Sequence, residues 1–230
     1  MKTILLSLSL ILVTTSIVVA QDIPKQELEV VDKSPIDPDR YKDIKRSPYL
    51  YKNFVSGKVF DIAEGYWVYI PLNYNGYSKQ FEFEENGSAS ELNEKYYLEI
   101  VMSGEDLNPA YSPKYMNDST VFVRGTHPKY PEEFYIEVFR EGDFAILKYF
   151  EIDLSERKVE DVGKTLVLKS FAPRFRYFHV VGSEVKNIKL NKKGLESLVD
   201  KETLSYMKKS KIKGDTEKDW VKALSYWSSK

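Results

Sequence analysis

Cysteine is absent from this chain of 230 residues. Its absence excludes a disulfide framework, a thiolate zinc or iron–sulfur centre, a cysteine nucleophile and a lipid anchor carried on cysteine. Histidine is scarce: His127 and His179 stand far apart, and neither belongs to an H-E-x-x-H or H-x-H pattern. Metal ligation needs convergent ligands at matched spacing, so neither a metal nor another cofactor is expected. Charge of one sign is lacking as well. With 34 Lys+Arg against 35 Asp+Glu, the chain has no net basic footprint for nucleic acid. Recognisable catalytic motifs are missing, since no G-x-S-x-G elbow occurs. Ser205-Tyr206-Met207-Lys208 fits S-x-x-K in letters only, inside a lysine-rich helical stretch without a partner motif. The expectation is a protein that is not an enzyme.

What the chain has is 42% apolar and 14% aromatic residues, enough to bury a core and too much for a disordered tail. Its start is the most specific signal. Lys2 gives a positive n-region, residues 4–13 form an apolar core broken only by Ser7 and Ser9, and Val18-Val19-Ala20 precedes Gln21. This reads as a secretory signal peptide over residues 1–20. The apolar stretch falls short of the roughly 20 residues a membrane-spanning helix needs. Export without cysteine fits the periplasm or surface of a Gram-negative bacterium. In that setting Asn86-Gly87-Ser88 and Asn117-Asp118-Ser119 read as turns; in a eukaryote they would be glycosylation acceptors.

Residues 21–53 follow as an extended arm or linker, punctuated by Pro24, Pro35, Pro38 and Pro48, which reads either as a tether covering a sheet edge or as a weakly ordered terminus. Residues 54–190 carry short β-type runs separated by turn signals. Ten strands are expected: 55–62, 66–72, 79–85, 96–102, 120–124, 133–140, 144–154, 164–170, 174–181 and 184–189. Glu64-Gly65, Asn75-Gly76, Asn86-Gly87, Glu141-Gly142 and Gly182-Ser183 each offer a glycine able to adopt positive φ in a tight hairpin. Strands joined so tightly are antiparallel. The fold class is therefore mainly β, an antiparallel meander forming a barrel or a sandwich.

Alternation sorts the strand faces. Phe144, Ile146, Phe150, Ile152 and Leu154 share a side that only Lys148 interrupts. Phe81 and Phe83 alternate with Glu82 and Glu84 as a half-exposed strand. Residues 66–70 are apolar on both faces, which predicts a central strand or one covered on its second face by the C-terminal helices. From residue 191 the period becomes helical: Leu195, Leu198 and Val199, then Leu204 and Met207, then Trp220, Ala223, Leu224 and Trp227 predict two or three short amphipathic helices packed on the β domain. Thr216 with Asp219 reads as a capping box after a stop at Gly214. This tail is basic and the β domain acidic, so the two are expected to dock. A peripheral contact of the tail lysines with the envelope is the alternative.

Ser47-Pro48-Tyr49-Leu50 leading into Gly57-Lys58-Val59-Phe60, then Pro71-Leu72-Asn73-Tyr74-Asn75, Arg176-Tyr177-Phe178 and the helical close from Lys192-Lys193-Gly194-Leu195 to Ala223-Leu224-Ser225-Tyr226 give a resemblance. Over most of residues 21–230 the architecture resembles small exported β-rich bacterial proteins with no function attached. The likeness implies no activity and no site residues.

The candidate binding residues are Tyr66, Trp67, Tyr69, Tyr74 and Tyr77, grouped around one hairpin, with Arg174 and Arg176 on one strand face opposite Phe175 and Tyr177. Tyrosine, tryptophan and arginine are over-represented at recognition hot spots, while seventeen tyrosines in a β-rich domain also reflect strand propensity. The expected role is binding of a protein or glycan partner. The alternatives are a barrel-type binder of a small apolar ligand, with its cavity behind residues 66–70, and a hydrolase built on two carboxylates.

Overall fold

A computed structural model describes residues 35–103, 119–161 and 163–230. The leader expected over residues 1–20, the first part of the arm and the Asn117-Asp118 turn lie outside the described residues. The described chain is mainly β, one large and predominantly antiparallel sheet followed by three C-terminal helices. Its strands are β1 Ile44–Lys45, β2 Val55–Asp61, β3 Trp67–Asn75, β4 Gln80–Glu85, β5 Ser88–Glu91, β6 Tyr97–Ser103, β7 Ser119–Val123, β8 Tyr135–Glu141, β9 Phe144–Asp161, β10 Lys164–Val181 and β11 Glu184–Ile188. The helices are α1 Lys192–Glu196, α2 Lys201–Lys209 and α3 Glu217–Ser228.

The strands pair in the order β1-β10-β9-β8-β7-β6-β2-β3-β4-β5, with β11 also on β10. From β2 onward sequential neighbours pair except at one place, where the chain leaves β5 through Leu92 and a single turn at Glu94–Tyr96 to lay β6 beside β2. The sheet is one open sheet. Its ends are tied by the chain ahead of β2: Pro35 bridges Ser90 of β5, β1 runs parallel to Lys169 and Ser170 of β10, and Tyr49 bridges Asn75 at the end of β3. Residues 35–51 thus strap the β5 edge to the β10 edge and cover two sites where another chain could pair.

The strap is anchored on a carboxylate. Glu82 is fully buried, although its strand reads as half exposed, because the strap lies over it. Arg40 pairs with one of its oxygens, Tyr49 donates its hydroxyl to the other at 2.8 Å, and the Asn75 amide donates at 2.9 Å. A buried charge that has a cation and several donors is tolerated where an unpaired one would be expelled.

Two expected strands, 164–170 and 174–181, form one unbroken strand of 18 residues. Proline normally ends a central strand because it cannot donate to the ladder. Pro173 faces Ile152, whose N–H turns away from β10 to donate to the Gly76 carbonyl at 2.9 Å. That pair is therefore a non-hydrogen-bonded one, and the proline nitrogen faces the open edge of β10, where no ladder bond is lost. Glycine differs at one expected turn. Gly65, Gly87, Gly142 and Gly182 adopt positive φ, but Gly76 does not, and Lys79 takes the left-handed position in its hairpin. Gly76 is needed for space: a Cβ there would stand 2.6 Å from the Phe150 ring.

Three clusters fill the interior. The largest gathers Val59, Leu72, Tyr74, Phe81, Ile100 and Phe122 from β2, β3, β4, β6 and β7. A second joins Val138, Ile146 and Tyr177 to Leu195, Met207, Trp220 and Leu224, so the helices cover the β8–β10 region. Residues 66–70 are neither central nor covered by the helices: β4 pairs with β3 only from Leu72 to Asn75, the stretch before it has β2 alone as a partner among the described residues, and Tyr69 is 69% exposed. Each helix opens on a side-chain cap, Asn191, Asp200 and Thr216. Thr216 accepts the Asp219 N–H as a capping box requires, but the Asp219 carboxylate reaches back to the Gly214 N–H. The third cluster, Tyr135, Ala145, Leu147, Tyr149 and Val180, lies on the sheet face opposite the helices.

Candidate binding groove

Alternation puts Tyr135, Tyr149, Arg176 and Phe178 on that opposite face. The loop between β7 and β8 folds over them, held by the Gly125 N–H on the Pro131 carbonyl at 2.9 Å and the Tyr130 N–H on the His127 carbonyl at 3.1 Å. It lays the His127 ring flat on Tyr135, with centroids 4.9 Å apart and planes 11° apart, and sets its edge against Phe178. Burial lowers the imidazole pKa, which keeps His127 neutral, and its Nδ1 accepts the Lys129 N–H. Tyr130 packs 5.2 Å from His127 and stays 56% exposed.

Between these rings lies a groove of about 400 Å³, lined further by Lys79, Lys129, Glu133, Val185 and Asn187. Tyr149 forms part of its floor, with the Arg176 guanidinium 4.9 Å and the Lys79 ammonium 5.4 Å from its ring centre. Burial and a bond to the Glu133 carboxylate push the Tyr149 hydroxyl pKa well up, and burial does the same at Tyr135. Both hydroxyls are therefore neutral donors across the physiological range. Three cations against one carboxylate make the groove positive on an otherwise acidic β domain.

The sequence candidates divide. Arg176 lines the groove, and Arg174 lies beside it on the same face; both reach Glu151 on β9, Arg176 at 3.1 Å and Arg174 at 3.6 Å, and Arg174 also pairs with Asp153. The hairpin aromatics do not come together. Tyr74 is a core residue, 3% exposed, among Phe81, Phe122 and Phe150, because it shares the inward side of β3 with Val68 and Leu72. Trp67 lies under the Lys58 ammonium, Tyr69 points to solvent, Tyr66 packs partly against the core, and Tyr77 rests on Phe171 and Tyr41. His127, Tyr130, Tyr135 and Tyr149 are not among the sequence candidates: they come from the β7–β8 loop, β8 and β9, and no spacing in the sequence joins them.

A second cleft of about 420 Å³ holds Glu91, Glu94, Glu132, Lys95 and Arg124. Burial pushes the Glu94 carboxyl up to about 7, although it accepts the Phe81 N–H at 3.0 Å. Among the described residues no group of three or more His, Asp or Glu side chains converges as a metal site. No described helix is long and apolar enough to cross a membrane.

Comparison with known proteins gives no matching family model, no matching curated protein and no matching solved structure.

Proposed function

We propose that this is an exported, non-enzymatic envelope or surface protein that binds a glycan in the groove over Tyr135 and Tyr149. The observation that carries the reading is the ring array of Tyr130, His127 and Tyr135 bordered by polar side chains. Sugar rings present C–H faces that stack on aromatics and hydroxyls that need directional partners. Arg176, Lys129, Asn187 and Glu133 are placed at the groove to serve them. A concave site of this size suits a few sugar units better than the broad face of a protein partner. Export rests on the character of residues 1–20. An apolar ligand behind β3 is disfavoured, because Val59, Val68, Leu72 and Tyr74 fill that space.

The test is a glycan array followed by calorimetry on the purified protein. Retention of a defined oligosaccharide, weakened at least about tenfold by Tyr130→Ala and by Arg176→Ala with unchanged circular dichroism, is expected. Absence of glycan retention, or binding indifferent to both substitutions, overturns it.

One observation favours a second reading. Glu94 stays protonated up to about pH 7 in a cleft with Glu91 and Glu132, the pairing of a neutral acid with a carboxylate that glycoside hydrolysis uses. Hydrolysis of the retained glycan, abolished by Glu94→Gln, would move the proposal there.

A further inference from the structure

Beyond Ile152, β9 has β10 on one side and no strand on the other among the described residues, since its pairing with β8 ends at Lys148. The last third of the β9–β10 hairpin projects as a two-stranded ribbon with both faces in water. It carries exposed apolar side chains, Leu166 at 46% and Val167 at 48%. An isolated ribbon is marginal, and an exposed edge is a template for another strand.

The backbone direction along that edge follows from the Pro173–Ile152 pair. The β9–β10 register is unbroken from Phe144↔Val181 to Asp161↔Lys164, so the outward N–H of Ile152 recurs at every second residue. Leu154, Glu156, Lys158 and Glu160 therefore turn N–H and C=O to the free edge. The sequence there runs Arg157-Lys158-Val159-Glu160-Asp161, two cations and two anions arranged antisymmetrically about valine.

We propose that this edge is a seam between two copies of the chain, β9 pairing antiparallel with the partner's β9 about a twofold axis at Val159. In that register Lys158 forms a hydrogen-bonded backbone pair with the partner's Glu160, and Glu160 with the partner's Lys158. Directly opposed charges of opposite sign favour a strand pair and like charges oppose it. Centring the axis on Lys158 opposes Lys158 to itself and Glu160 to the partner's Glu156; centring it on Arg157 or Glu160 opposes a charge to its own copy. Val159 is cross-strand from Leu166, so the Val159 register also builds a continuous apolar row on one face, Leu166 and Val159 meeting the partner's Val159 and the partner's Leu166. The seam is isologous and closes at two copies. It leaves the groove and the strap untouched.

The experiment is sedimentation velocity over a concentration series with the wild type, Lys158→Glu, Glu160→Lys and an equimolar mixture of the two variants. The wild type is expected to dimerise, each variant alone to weaken dimerisation at least about tenfold, and the mixture to restore it, because each of the two cross-strand pairs then again opposes a glutamate to a lysine. Recovery on mixing separates the seam from a folding defect. A wild type that stays monomeric throughout, a dimer indifferent to both reversals, or a mixture that stays monomeric overturns the proposal.

Discussion

Lys148 of β9 and Glu217 of α3 form an ion pair at 2.9 Å with both side chains closed off from solvent, and Tyr177 of β10 donates its hydroxyl to the same carboxylate at 2.6 Å. This explains the single charge on an otherwise apolar strand face: Lys148 meets the C-terminal helix as it crosses the sheet. Burial lowers the Lys148 pKa, against the pull of Glu217. The pair contributes chiefly to the register of α3, since a buried ion pair offsets little more than its own desolvation.

Removing one partner should therefore cost much more than removing both. Lys148→Met is expected to destabilise by about 3–5 kcal/mol by stranding the Glu217 carboxylate, and Lys148→Met with Glu217→Leu to recover most of that. Urea unfolding of the two single variants and the double variant checks it. Additive losses would mean that the residues act independently.

The strap should prove equally dependent on Arg40. Its guanidinium pairs with the buried Glu82, beside Tyr49 and Asn75. Arg40→Ala is expected to lower stability by about 2–3 kcal/mol, since a charged partner of a buried carboxylate is lost. Hydrogen exchange should locate the effect: the amides of Ile36 and Leu50, which donate to Ala89 and Tyr74, should lose protection before the β8–β10 amides. Uniform loss of protection would refute a strap that opens by itself.

Much of the fold was legible because it rests on local rules. Period-two alternation marked most strands, turn glycines marked most hairpins, and the helical period of Leu195 to Trp227 marked the tail. What stayed hidden depends on distant partners. Residues 171–173 fall between two expected strands because nothing local shows that Pro173 lies in a non-hydrogen-bonded pair. Glu82 read as solvent-facing because its cover comes from 42 residues earlier. Tyr74 and Tyr77 read as one cluster from proximity in sequence, while the pleat sends them to different surroundings. The groove is assembled from β8, β9, β10, β11, the β3–β4 turn and the β7–β8 loop, with no spacing to detect; Arg176 alone among its residues stood out.

Glu94 gives a pH signature that the rest of the chain can be subtracted from. Burial raises its carboxyl from 4.5 to about 7, so the folded state holds a proton that the unfolded chain releases at lower pH. The sign follows from linkage: the contribution is fully present below about 4.5 and is lost as pH rises through about 7. Glu94→Gln keeps an oxygen to accept the Phe81 N–H and removes the ionisation. The stability of wild type minus that of Glu94→Gln should therefore be flat below about pH 4.5, fall by an order of 1–3 kcal/mol for this half-buried group toward about pH 7, and level off above it. Paired urea titrations between pH 4 and 8 measure that difference. A flat difference curve would mean that Glu94 is ionised and solvated at neutral pH, which would also remove the acid on which a hydrolytic reading of its cleft depends.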